Sequence, residues 1–98
     1  MAGIDFKSGK IIYDEFHVDF TKSFLEQIDS LKEDLLQVKY TDDYLLDLGW
    51  YPEYKVDGKF VVQLIKDRNW DAPVYRACCK SQEQLRQILE TAINFVSK

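Results

Sequence analysis

Tyr44-Leu45-Leu46-Asp47-Leu48-Gly49-Trp50-Tyr51 sets Leu46, Leu48 and Trp50 at one parity and Leu45, Asp47, Gly49 and Tyr51 at the other. Successive side chains of an extended chain point to opposite sides, so this period of two predicts a strand ending near Pro52. Downstream, Val56-Asp57-Gly58-Lys59 holds an Asp-Gly pair, residue types that accept the positive φ of a tight hairpin turn. Phe60-Val61-Val62-Gln63-Leu64-Ile65 follows, rich in β-branched residues and apolar at both parities, as suits a central strand. Two strands joined by a hairpin are therefore the expected centre of the fold.

Beyond them, Asp67-Arg68-Asn69-Trp70-Asp71-Ala72-Pro73 is polar apart from its tryptophan and ends in proline. It reads as a loop leading into a third antiparallel strand, Val74-Tyr75-Arg76-Ala77-Cys78. Ser81 and Gln84 have capping-box spacing, and Leu85, Ile88, Leu89, Ala92, Ile93 and Val96 recur at helical intervals, predicting a C-terminal amphipathic helix. Upstream, Phe20, Phe24, Leu25, Ile28, Leu31 and Leu35 form an apolar stripe opposite Lys22, Glu26, Asp29, Lys32, Glu33 and Asp34. That pattern predicts an N-terminal helix starting near Asp19, with Asp19 or Thr21 as its cap. Lys10 to Tyr13 reads either as an extra edge strand or, with Ser8-Gly9, as a turn in an N-terminal arm. The expected architecture is α+β in a single domain, residues 1–98. It comprises an N-terminal amphipathic helix, a three-stranded antiparallel meander and a C-terminal helix, with both helices on one sheet face. The second face, where Val61 and Ile65 are read as mixing with Gln63 and Lys66, is expected to meet the N-terminal arm or a partner.

Ninety-eight residues, 46% apolar and 31% charged, leave room for one core and no second domain. With two prolines and four glycines the chain is neither disordered nor collagenous in composition. A net charge of −4 disfavours a generic phosphate-backbone binder and suits a basic protein partner. No uninterrupted apolar window is long enough to span a bilayer, and Met1 to Phe6 lacks the build of a signal peptide, so the expected compartment is the cytoplasm. The only cysteines, Cys78 and Cys79, are neighbours whose side chains diverge in a strand, so no disulfide is expected between them.

No catalytic constellation is spelled out. His17 is the sole histidine, so any Cys-His chemistry must pair it with Cys78 or Cys79, and a His-rich metal site is excluded by counting. Asp42, Asp43, Asp47, Glu53 and Asp57 lack the ligand order of a calcium loop and read better as a solvated acidic face. No catalytic residue, metal or cofactor is therefore expected. Charge is nonetheless distributed unevenly: residues 41–58 hold five acids against one lysine, and residues 59–80 hold five bases against two acids. Aromatic residues are interleaved with the acids, a mixture that interfaces with basic proteins use. The residues expected to bind a partner are Asp42, Asp43, Asp47, Glu53, Tyr54, Asp57 and, in its own loop, Trp70.

Asp47-Leu48-Gly49-Trp50-Tyr51-Pro52-Glu53-Tyr54, the run Asp57-Gly58-Lys59-Phe60 to Asp67, and Trp70-Asp71-Ala72-Pro73 resemble the small bacterial immunity proteins. Such proteins are the antidotes to polymorphic and contact-dependent growth-inhibition toxins, and the resemblance spans residues 45–95. It implies a cytoplasmic protein without enzymatic activity that binds the C-terminal domain of its cognate toxin, in many cases a basic nuclease, and makes no direct contact with nucleic acid or membrane. It transfers no binding residue, because immunity contacts are specific to each pair. The alternative reading is an acidic adaptor or nucleic-acid mimic that binds a housekeeping protein.

Overall fold

The computed structural model describes residues 3–97. Five strands, β1 (Lys10–Asp14), β2 (Leu36–Tyr40), β3 (Tyr44–Tyr51), β4 (Lys59–Lys66) and β5 (Tyr75–Cys79), form one antiparallel sheet in chain order, followed by helix α1 (Gln82–Val96). The expectation of a three-stranded meander is corrected: β2 joins ahead of the three expected strands, and Lys10–Asp14 pairs with it at the edge.

The expected N-terminal amphipathic helix does not form either. Residues 25–30 make only a 3-10 helix, broken at Gln27, whose φ of −127° is not helical. Two forces displace the longer helix. The first is the sheet's demand for hydrogen-bond partners: Leu35 N–H donates to the Leu48 carbonyl, and the Trp50 and Tyr54 N–H groups donate to the Lys32 and Leu31 carbonyls. Backbone groups used in that ladder are lost to an i to i−4 helix. The second is the Gln27 side chain, which accepts from Asp19 N–H and donates to the Asp19 and Ser23 carbonyls, closing residues 19–27 into a loop. Asp19 caps no helix; its carboxylate accepts from the Thr21 hydroxyl and N–H, which hold its pKa below the usual value.

The apolar stripe of this segment still faces inward, except for Leu25, which is exposed. Phe24 packs against Trp50 with the rings tilted at 51° and 4.8 Å between centroids, and Phe16 and Phe20 lie 6.0 and 5.7 Å from Phe60. Together with Leu85, Leu89, Ala92 and Ile93 of α1 these rings cover one sheet face, made of Leu36 and Val38, Leu46, Leu48 and Trp50, and Phe60, Val62 and Leu64. Ser81 caps α1 by accepting from Gln84 N–H at 3.1 Å.

The β3–β4 connection also departs from expectation. Asp57-Gly58 is not a two-residue hairpin turn, since Tyr51 pairs with Lys59 across a link running from Pro52 to Gly58. The positive φ falls on Tyr54 instead. Gly58 is required for closeness: a Cβ there would come within 2.4 Å of the Trp50 Nε1, which donates to the Lys55 carbonyl.

Candidate partner-binding surface

Among the described residues the other sheet face carries no helix. Its residues follow from the register: Lys39, Leu45 and Ile65 form one row; Gln37, Asp47, Gln63 and Arg76 form the next; Gly49, Val61 and Cys78 form a third. Residues 31–35 cross one end of this face, where the Glu33 carbonyl lies so close over Gly49 that a Cβ would fall 1.8 Å from it. Val61, beside the crossing, and Ile65, toward the other end, are both buried although they stand outside the main core. At the opposite end a cleft of about 180 Å³ opens between β1 and the β4–β5 loop. Its apolar walls are Ile12, Leu45, Ile65 and Trp70, and Lys39, Arg68 and Asp43 contribute charge to its rim. Ile12 sits at the bulge in β1, where pairing with β2 shifts register between Ile11 and Tyr13. Half of Ile12 and 47% of Trp70 remain exposed.

The structure separates the residues that the sequence grouped. Asp42 and Asp43 occupy the β2–β3 turn, both with φ near +60°, a conformation Asp tolerates better than most residues. Lys66 donates to the Asp42 carbonyl and lies 4.6 Å over the Tyr44 ring, so basic charge is mixed into this end. Trp70 lines the cleft at the same end. Glu53, Tyr54 and Asp57 lie in the β3–β4 link, at the far end of β3, roughly 25 Å away by strand length. There Glu53 accepts from Glu33 N–H at 3.5 Å and Tyr54 N–H bonds the Leu31 carbonyl, so both secure the crossing segment. A single continuous acidic patch does not exist; the acids fall at two poles with Asp47 between them.

Comparison with family models, with curated proteins and with solved structures yields no match. The surface is therefore read from its own chemistry.

Asp47 is the exceptional member. It sits in the middle of a central strand, only 1% exposed, with Gln37 Nε2 donating to its Oδ1 at 3.0 Å. Its Oδ2 has no hydrogen-bond partner, and no lysine or arginine pairs with it among the described residues. Burial pushes its pKa up, the Gln37 hydrogen bond opposes that, and the Asp34 charge adds to the rise. Tyr51, four residues further along the same face, is pushed up as well, first by burial and then by the charges of Asp47, Asp34 and Glu33. The sequence singled out Asp47 as an exposed acid; it is a buried one.

Nucleophilic chemistry finds little geometry to work with. Cys78 is exposed and Cys79 buried, both as free thiols, and burial raises the Cys79 pKa, away from the reactive thiolate. His17 is exposed, its Nε2 3.0 Å from Glu15. Among the described residues no group of three or more His, Cys, Asp or Glu is arranged to hold a metal ion, and no helix is long and apolar enough to cross a membrane.

Proposed function

We propose that this chain is a non-enzymatic immunity protein that captures a cognate toxin domain, a basic nuclease, through the helix-free face of its sheet. The observation that carries the reading is that face itself. It holds an apolar cleft beside a buried, half-satisfied carboxylate, a combination suited to an apolar anchor and a charge from another molecule. Acids at the Asp42–Asp43 pole, beside the cleft, would steer a basic partner toward it, raising the association rate more than the final affinity. In this reading the protein acts in the cytoplasm and needs no cofactor, and inhibition follows from covering the toxin's working surface.

The test is a pull-down of the tagged chain from its native host, washed at low and at high salt, with mass spectrometry of what is retained. The expected result is the C-terminal part of a large secreted effector in near-equal amount, whose toxicity on expression is suppressed by co-expressing this chain. Capture of a housekeeping protein alone would favour the adaptor reading, and capture of nothing above background would refute both.

A further inference from the structure

We propose that Asp47 is the receptor for one cationic side chain, a lysine or arginine presented by the partner across the helix-free sheet face. The inference deepens the proposed function and rests on it.

An aspartate in the middle of a central strand is unfavourable, both for the strand and for a charge withdrawn from water. Position 47 has both disadvantages. Its direct neighbours across the sheet, Gln37 on β2 and Gln63 on β4, are neutral, and only Gln37 donates to the carboxylate. Nearby charge makes matters worse: Asp34 on the crossing segment is negative, and Arg76, in the same row but beyond Gln63, forms no ion pair with Asp47. The free protein thus holds a buried carboxylate with one oxygen unanswered. A cation supplied from outside would answer Oδ2 and offset the repulsion from Asp34, so its attraction is greatest at this spot.

The surroundings allow such a cation to arrive. Gln37 and Gln63 are half-buried, with long side chains able to turn aside. Leu45, which lines the apolar cleft, stands two residues before Asp47 on the same face, about 7 Å along the strand. One partner segment with an apolar residue next to a basic one would fill both positions. Asp42 and Asp43 at the turn, exposed to water and screened by salt, would contribute to steering more than to the bound contact.

The test uses the full chain. Amide spectra are followed by NMR during titration with acetyl-Leu-Arg-amide, with acetyl-Leu-Lys-amide, and with acetyl-Leu-Gln-amide as the neutral control. Saturable shifts at Gln37, Asp47, Gln63 and Tyr51 are expected for the two basic dipeptides, absent for the neutral one and lost in Asp47→Asn. Equal shifts in Asp47→Asn, or shifts confined to the turn acids, would overturn the inference. In parallel, Asp47→Asn should weaken capture of the toxin domain by about thirtyfold or more, the lower bound for removing one member of a buried charge pair. Undiminished capture by this variant overturns the inference while the proposed function stands. Failure of the unmodified chain to capture any toxin overturns the function, and the dipeptide titration then decides the receptor role alone.

Discussion

Asp47 shows how one residue can oppose the stability of the fold that contains it. Its folded-state pKa is raised by burial, so the group binds its proton more tightly in the folded than in the unfolded chain. Its favourable contribution is therefore complete below the unfolded carboxylate value, about 3.9, and is lost as pH rises through the higher folded value. Asp47→Asn removes that dependence. The variant is expected to exceed the parent chain in stability by about 1 kcal/mol near neutrality, the low end for an unanswered buried polar group. The difference should shrink toward zero near pH 3.5, as followed by urea denaturation across the range about 3.5 to 7. Trp70 is the opposite case. Being 47% exposed in a loop, Trp70→Ala should change stability by less than about 0.5 kcal/mol but reduce toxin capture about tenfold or more. In the sequence, the loop placement of Trp70 was legible because its neighbours are polar. The burial of Asp47 was not, because it depends on glutamines and a crossing segment that come from elsewhere in the chain.

The segment before β2 shows where periodicity misleads among the elements. Phe20, Phe24, Ile28, Leu31 and Leu35 recur at helical spacing and do face inward, yet most of the stretch is loop and added ladder. Leu36, Val38 and Tyr40 carry a strand's alternation, which was masked because the preceding leucines complete a helical stripe. β4 was legible because its apolar run at both parities matches burial on both faces, and α1 because Leu85, Leu89, Ala92 and Ile93 are buried at helical spacing. β3 was legible from its alternating residue types, although its burial from Leu46 to Trp50 is continuous. Gly49 offers a direct check on the crossing segment. Gly49→Ala would drive a methyl group into the Glu33 carbonyl, which cannot move without breaking the Leu35 and Trp50 hydrogen bonds. A loss of about 3 kcal/mol, the upper range for overpacking, is expected from the denaturation midpoint. Ser81→Ala removes the α1 cap and should cost about 1 kcal/mol, with no effect on toxin capture.

For the molecule as a whole, the division of acids between two poles turns a single charge expectation into a choice of direction. The cleft and Trp70 lie at the Asp42–Asp43 pole, so that end should lead the approach to a basic partner. Asp42→Asn with Asp43→Asn, changes that keep the left-handed turn accessible, should slow association and flatten its salt dependence. Glu53→Gln with Asp57→Asn should leave both unchanged, as read by stopped-flow association at several ionic strengths. The sequence displayed the acids but not their separation, since adjacency along a strand becomes distance in space. The chain-order sheet has a consequence for how the molecule assembles. β2 to β5 are joined by links short enough to close cheaply, whereas β1 reaches β2 only after residues 15–35, and closure entropy grows with loop length. Its five residues are all exposed, so little holds this strand until the rest is in place. β1 is thus the last strand to dock and the first to open, and its amides should exchange with solvent sooner than those of β3 and β4. Because β1 brings Ile12, the cleft reaches its final shape only when folding is already complete elsewhere.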